Sequence, residues 1–239
     1  MTISNQYLRV DSGAPLARLY RHYVALDAGD TELIDGLIRQ HGDVCRTHAS
    51  WSSLIESDTI QEPGCAIGYL DGEPERLEAL PRLLNELRSP ISIIWLSRRP
   101  RLRDVVAAMR GGAAYVLTLP EDANRLAHAV EDSQAKSRES YFRMQESSAA
   151  QDRLAILTQG ERDVLLLALS GAMNKTISRR LDIAVRTVEN RRNKIVKKLG
   201  TRSSLLIARM LHAAGQMPDE SMLTTFVEQP HSQLEAPSP

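Results

Sequence analysis

Residues 158–200 read TQGERDVLLLALSGAMNKTISRRLDIAVRTVENRRNKIVKKLG, and the order of caps, apolar stripes and stops in this run decides the fold of the C-terminal part. Thr158 and Glu161 have the spacing of a capping box, in which the hydroxyl takes an orphan N–H of the first turn and the carboxylate reaches back. Val164, Leu165, Ala168 and Leu169 then form one apolar stripe, and Gly171 supplies a left-handed stop. A short second helix is expected over Asn174 to Leu181, with Ile177 and Leu181 four apart on its inner side, followed by a tight turn at Asp182-Ile183-Ala184. The third helix spans Val185 to Leu199. Val188, Ile195 and Leu199 share its inner face, while Arg186, Glu189, Asn190, Asn193 and Lys197 face outward, flanked by Arg191, Arg192, Lys194 and Lys198. Gly200 ends this helix, and Ser203 caps a fourth over Leu205 to Ala214.

Two helices joined by a short turn, the second carrying cations and amides outward, is the helix-turn-helix design. The side chains suit double-stranded DNA. Arg and Lys neutralise phosphates and release counterions, while Asn and Glu can pair with base edges in the major groove. Charge is partitioned accordingly. The whole chain of 239 residues carries 30 basic and 30 acidic side chains, but residues 157–214 hold 12 basic and 4 acidic ones, a net of +8 against −8 for the remainder. This split marks two modules, one facing a polyanion.

Outside the basic module, short apolar runs alternate with amphipathic stretches. The runs are Tyr23 to Leu26, a weak one around Val44, Cys65 to Tyr69, Ile91 to Leu96 and Ala114 to Leu117. Between and after them lie helical patterns over Glu32 to Gln40, Trp51 to Glu56, Glu75 to Leu87, Leu102 to Met109 and Asp122 to Val130. Near-continuous apolar strands separated by amphipathic helices imply a five-stranded, doubly wound parallel α/β sheet of flavodoxin-like order, covered on both faces. The aromatic content of 4% also favours aliphatic cores of this kind. The expected organisation is an N-terminal extension over 1–20, an α/β domain over 21–132, a helical linker over 133–153 that can continue the preceding helix, an all-α four-helix domain over 154–215 and a disordered tail over 216–239.

Several function classes drop out. Cys45 and Cys65 make neither a disulfide framework nor a zinc site. His22, His41 and His48 have no recognisable nucleophile and orienter beside them, so no enzyme is expected, and no metal or cofactor. No apolar run approaches the roughly 18 to 20 residues of a membrane span, and Met1 to Arg9 lacks a secretory pattern, so a soluble cytoplasmic protein is expected, with no membrane partner.

Leu157-Thr158, Glu161-Arg162-Asp163-Val164-Leu165, Gly171, Asn174-Lys175, Ile177, Leu181, Thr187-Val188-Glu189 and Lys198-Leu199-Gly200 resemble the LuxR-type helix-turn-helix over about 55 residues. The resemblance implies a four-helix DNA-binding domain whose third helix enters the major groove and whose fourth forms a dimer face, giving a homodimer on DNA. Its base-reading positions fall on Glu189, Asn190 and Asn193. Its backbone-contacting positions fall on Thr187, Arg191, Lys175 and Lys194, to which Arg186 is added for its charge at the start of the helix. The family usually has His in place of Arg191 and Ser or Thr in place of Ala184. The second departure removes an N-cap, at a cost of about 1 kcal/mol. On the fourth helix, Leu206, Arg209, Met210 and Ala213 fall on one side as a dimer face and Leu205, Ala208 and Leu211 on the inside; the alternative is that every apolar position here is intramolecular core.

The preceding β-α units and linker resemble the receiver of a FixJ-type response regulator. Phosphorylation in that family needs an acidic pair for Mg²⁺, an acceptor Asp, a hydroxyl residue and a Lys before Pro. Here the acidic pair is split into Asp27-Ala28-Gly29-Asp30, Tyr69 stands at the acceptor position, and Asp71 lies two residues beyond it. Ser97 keeps the hydroxyl, Leu119 precedes Pro120 in place of Lys, and Val116 replaces the switching aromatic. The resemblance therefore implies a degenerate, pseudo-receiver domain with no phosphoacceptor, open to a protein partner or small ligand. Two alternatives stand beside this reading: a conventional regulator phosphorylated on an Asp, and an interaction adaptor without specific DNA binding.

Overall fold

A computed structural model describes residues 17–38, 43–70 and 74–217. Asp71, His41 and the tail beyond Met217 lie outside the described residues. The chain divides into two compact units, Met1–Phe142 and Arg143–Pro239.

The first unit runs β1 (Tyr20–Val24), α1 (Ala28–Ile38), β2 (Val44–His48), α2 (Trp51–Ile55), β3 (Gly64–Tyr69), α3 (Pro74–Glu86), β4 (Ser92–Ser97), α4 (Leu102–Gly111) and β5 (Tyr115–Thr118), then enters α5 (Ala123–Ala155). All strand pairs are parallel, in the order β2-β1-β3-β4-β5. This is the doubly wound, flavodoxin-like arrangement. The two-residue period of a strand sorts the core between two faces. Cys65, Ile67, Ile94 and Leu96 pack with Ile34 and Ile38 of α1 and Leu126 and Val130 of α5. Ala66, Ile93 and Trp95 point the other way, onto Leu54 of α2, Leu77 and Leu84 of α3, and Ala107 and Ala108 of α4.

The first strand is shifted from its expected place. It occupies Tyr20–Val24 rather than Tyr23 to Leu26, because two polar residues in it are buried with partners. The Arg21 guanidinium donates to Asp35 Oδ1 at 2.8 Å and to Asp43 Oδ2 at 2.8 Å. Helix α1 begins four residues before Glu32, with the Asp27 carboxylate accepting from Asp30 N at 2.7 Å. The expected helical linker does continue the preceding helix, and α5 is a single helix of 33 residues. Its polar side chains are used in packing: Gly64 N donates to Ser137 Oγ at 2.8 Å and Gln134 Nε2 donates to Asp43 Oδ2 at 2.6 Å.

His22 is fully buried, and its Nδ1 lies 3.0 Å from His48 Nε2. One nitrogen must donate and the other accept, so the pair cannot hold two protonated rings. Burial first, then the charges of His48 and Arg46, push the His22 pKa down from 6.5 to about 4. A depressed folded-state pKa means that the unfolded chain takes the proton first. Stability is therefore full above pH 6.5 and is lost as pH falls towards 4. We expect a loss of about 2 kcal/mol by about pH 5 from this residue, and a flatter denaturant-midpoint profile over that range in His22→Gln. Equal profiles for the two proteins would contradict the assignment.

Candidate nucleic-acid interface

The second unit continues from the end of α5 through α6 (Gln159–Leu169), α7 (Asn174–Leu181), α8 (Val185–Leu199) and α9 (Ser204–Ala213). Thr158 and Glu161 close the capping box at α6. Gly171 sits at φ +85°, the left-handed stop after α6. Leu154, Leu157, Val164, Leu165, Leu167, Ile177, Val188, Ile195, Leu199, Ile207 and Leu211 are buried together. The three inner positions expected for α8 are all among them. Asp182 makes the turn between α7 and α8 in the left-handed region at φ +50°, and Ser178 Oγ donates to Ile183 O at 2.5 Å to fix it. Ala184 stands at the N-cap of α8 with no side-chain hydrogen bond, as its methyl group dictates.

With Val188, Ile195 and Leu199 turned inward, α8 presents Arg186, Asn190, Asn193, Lys194 and Lys197 to solvent, with Glu189 and Thr187 half-buried beside them. Lys175 is exposed in the first turn of α7. Arg186 and Glu189 approach only to 3.7 Å, with both side chains largely solvated. The exposed strip thus has guanidinium and ammonium groups around a centre of two amides and a carboxylate, which can make both phosphate and base-edge hydrogen bonds.

Two cations expected to flank this strip turn back into the unit. Arg191 is half-buried, and its Nη1 donates to Gly160 O at 3.2 Å. A Cβ on residue 160 would come within 2.7 Å of the guanidinium carbon, so glycine there admits the side chain. Lys198 Nζ donates to Ile156 O at 2.9 Å and to Glu161 Oε2 at 2.6 Å. Glu161 is buried, and Lys198 first, then the Thr158 N–H, hold its carboxyl below the usual range. The Lys198–Glu161 pair therefore ties the end of α8 to the start of α6. Arg192 donates to Asn174 Oδ1 at 2.8 Å and links α8 to α7. Sequence spacing alone gave no sign of these braces, since each joins residues at least 18 apart.

The fourth helix also departs from its expected facing. Ile207 and Leu211 are buried, and Met210, assigned to an outer face, packs against the core. Leu205, assigned to the inside, is 71% exposed, and Leu206 is exposed beside it. Ser203 caps the helix as expected, its Oγ accepting from Leu206 N, and with Ile207 and Leu211 docked in the core both leucines face outward.

In the first unit, the C-terminal ends of the strands open onto a cleft of about 810 Å³ lined by Asp27, Asp30, Tyr69, Ser97, Arg98 and neighbouring arginines. Arg98 Nη2 donates to Asp30 Oδ1 at 2.7 Å and to Tyr69 Oη at 3.3 Å. The guanidinium also lies over the Tyr69 ring, 5.5 Å from its centroid. Ser97 is buried, with Oγ accepting from Arg99 N at 3.2 Å. Leu119 is buried in the core shared with α1 and α5. Arg98 was missed in the sequence, although the run Arg98-Arg99-Pro100-Arg101 directly after an apolar strand was the available signal.

The model of the luxR family of bacterial regulatory proteins matches residues 155–211. The C4-dicarboxylate transport transcriptional regulatory protein DctR of Rhodobacter capsulatus is 30% identical over 178 residues, covering 73% of this chain and 89% of that protein. The chain belongs to the LuxR-family response regulators. Another relative within this group is the transcriptional regulatory protein FixJ of Azorhizobium caulinodans, 28% identical over 206 residues, covering 85% of this chain and 97% of that protein. Among solved structures, the response regulator StyR superposes with a TM-score of 0.68 at 25% identity, over 84% of this chain and the whole of that one.

As a LuxR-family response regulator the chain is a DNA-binding transcriptional regulator, with a receiver-like unit followed by a helix-turn-helix. Within the described residues no helix is long and apolar enough to cross a membrane. Tyr69 stands at the C-terminal end of β3, and Arg98 from the end of β4 pairs with Asp30 beside it.

Proposed function

We propose that this regulator reads specific double-stranded DNA through the outer strip of α8, and that it does so without aspartyl phosphorylation. Glu189, Asn190 and Asn193 read base edges. Thr187, Arg186, Lys194 and Lys175 contact the backbone, and Arg191 adds charge next to it while bracing α6. The observation that carries the DNA-binding half is the exposed amide-and-carboxylate centre ringed by cations on a helix whose opposite face is wholly buried. The protein acts in the cytoplasm, as a homodimer on DNA. We place the pairing face at Leu205 and Leu206, which leave about one turn of α9 apolar and solvated.

The independence from phosphorylation rests on Arg98. A phosphoryl group brings close to two negative charges and three acceptor oxygens, and beside carboxylates it needs a hard cation and a Lys to offset them. Here Arg98 engages Asp30 and Tyr69, and Leu119 offers no charge. The receiver-like unit then holds one arrangement, with the solvated Arg98 guanidinium bridging Asp30 and Tyr69.

The test is binding of the full chain to duplexes selected from a random pool and to unselected duplexes, across a range of salt. Specific reading predicts a selected site bound at least about 10³-fold more tightly than random DNA, with a steep salt slope on both. Equal affinity for the two would favour an interaction adaptor.

A further inference from the structure

The second cleft of the first unit lies on the opposite side of the sheet from α1 and α5. Helix α2 stops at Ile55 after five residues, and beside it one flank of α3 stands open as a cleft of about 760 Å³. This is within the roughly 300–1,000 Å³ of small-molecule sites. Its walls are the rings of Trp51 and Trp95 with Leu77 and Leu80, and its charged lining is Arg76, Arg82 and Glu86, a net positive rim.

The two tryptophans are placed by the sheet. Gly68 and Trp95 are register partners on β3 and β4. A Cβ at residue 68 would come within 2.8 Å of the Trp51 ring, so glycine there lets Trp51 lie on the strand. The rings end 4.7 Å apart, tilted by 55°. Trp95 is 2% exposed, and its Nε1 is buried without a hydrogen-bond acceptor. A buried N–H with no partner costs about 1–3 kcal/mol, and tryptophan N–H groups in cores usually find one. Here the residue that carries the orphan donor lines an apolar cleft with arginines at its rim.

We infer that this cleft binds a flat aromatic carboxylate. The ring packs against Trp51, which is only partly buried, and displaces it enough for an acceptor on the ligand to take the Trp95 N–H. The carboxylate meets Arg76 and Arg82. Of the two arginines, only Arg82 has an ion-pair partner among the described residues, Glu78 at 3.4 Å on a solvated surface, and such a pair yields readily to a better anion. The inference stands apart from the DNA-binding and phosphorylation readings. It gives the first unit a chemical input of its own.

The chain has two tryptophans and both line this cleft, so intrinsic fluorescence and the two indole N–H resonances report on it alone. The full chain is titrated with 4-hydroxybenzoate, which carries a ring, a carboxylate and a second acceptor, and with phenol as the uncharged control. We expect saturable change in tryptophan emission at about 0.1–1 mM, the range for a ligand of this size. The Trp95 indole N–H, assigned with Trp51→Phe, should move downfield. Phenol should bind at least about tenfold more weakly. Arg76→Gln with Arg82→Gln should weaken 4-hydroxybenzoate by about tenfold, and the exposed cleft-filling Ala79→Phe should abolish binding with the fold intact by circular dichroism. No saturable change up to about 10 mM would overturn the inference. So would equal binding of phenol, an unmoved Trp95 resonance, or unchanged titrations in the arginine and Ala79 variants.

Discussion

Asn193→Ala combined with Glu189→Ala is expected to remove most discrimination between the selected site and random DNA while leaving random-sequence affinity nearly unchanged. Both residues lie on the outer strip of α8, Asn193 exposed and Glu189 half-buried, and neither is needed by the core beneath. Each lost base-edge contact costs about 1–3 kcal/mol on the preferred site, so the pair should lower its affinity by roughly 30-fold to about 2 × 10⁴-fold. Arg191→Ala should behave differently. It removes a cation and should weaken all duplexes, lowering the salt slope by about one unit. It also deletes the brace to Gly160 O, so its thermal midpoint should fall too, whereas those of the Asn193 and Glu189 variants should not. Equal losses on selected and random DNA in the double variant would remove these residues from base reading.

Asp43→Ala should destabilise the first unit by about 3 kcal/mol, read as a lower urea midpoint with unchanged slope. Arg21 is 2% exposed and relies on two carboxylates. Asp35 is half-exposed and also takes the Tyr23 hydroxyl, whereas Asp43 is nearly buried and also accepts from Gln134 of α5. Removing Asp43 strands part of a buried guanidinium and the Gln134 amide at once. Arg21→Leu in the same background should recover much of the loss, since a buried cation without its partner costs more than an apolar side chain. A double variant as unstable as the sum of the singles would show that the pair does not act as a unit.

The helical period of Val188, Ile195 and Leu199 made α8 and its outer strip legible, because a helix sorts residues by a fixed angle whatever surrounds it. The alternating strand-and-helix pattern gave the parallel sheet for a similar reason. What stayed hidden depended on partners distant in sequence. Arg21 and His22 read as polar and so displaced the expected first strand, although Asp35, Asp43 and His48 neutralise the cost of burying them. Gln134 and Ser137 read as helical linker, but their packing role stayed hidden because their hydrogen bonds go to residues up to 91 positions away. Lys198 looked like another outward cation until Glu161 was found beneath it. Leu205 and Met210 exchanged places because α9 docks through Ile207 and Leu211, and which flank of a largely apolar helix turns inward is set by what it packs against.

Tyr69 and Leu119 could be set against the receiver pattern from sequence alone, but the guanidinium beside Asp30 could not. Arg98 reaches Asp30 across 68 positions of sequence, and only the folded sheet brings the ends of β3 and β4 beside the start of α1.

The decisive measurement is incubation of the full chain with acetyl phosphate and Mg²⁺, followed by intact mass and by affinity for the selected duplex. With Arg98 holding Asp30 and no lysine at residue 119, the mass should be unchanged and the affinity the same before and after treatment. An acid-labile phosphoryl group mapping to Asp27 or Asp71, together with tighter DNA binding, would contradict the phosphorylation-independent reading and make this a conventional phosphorylated regulator.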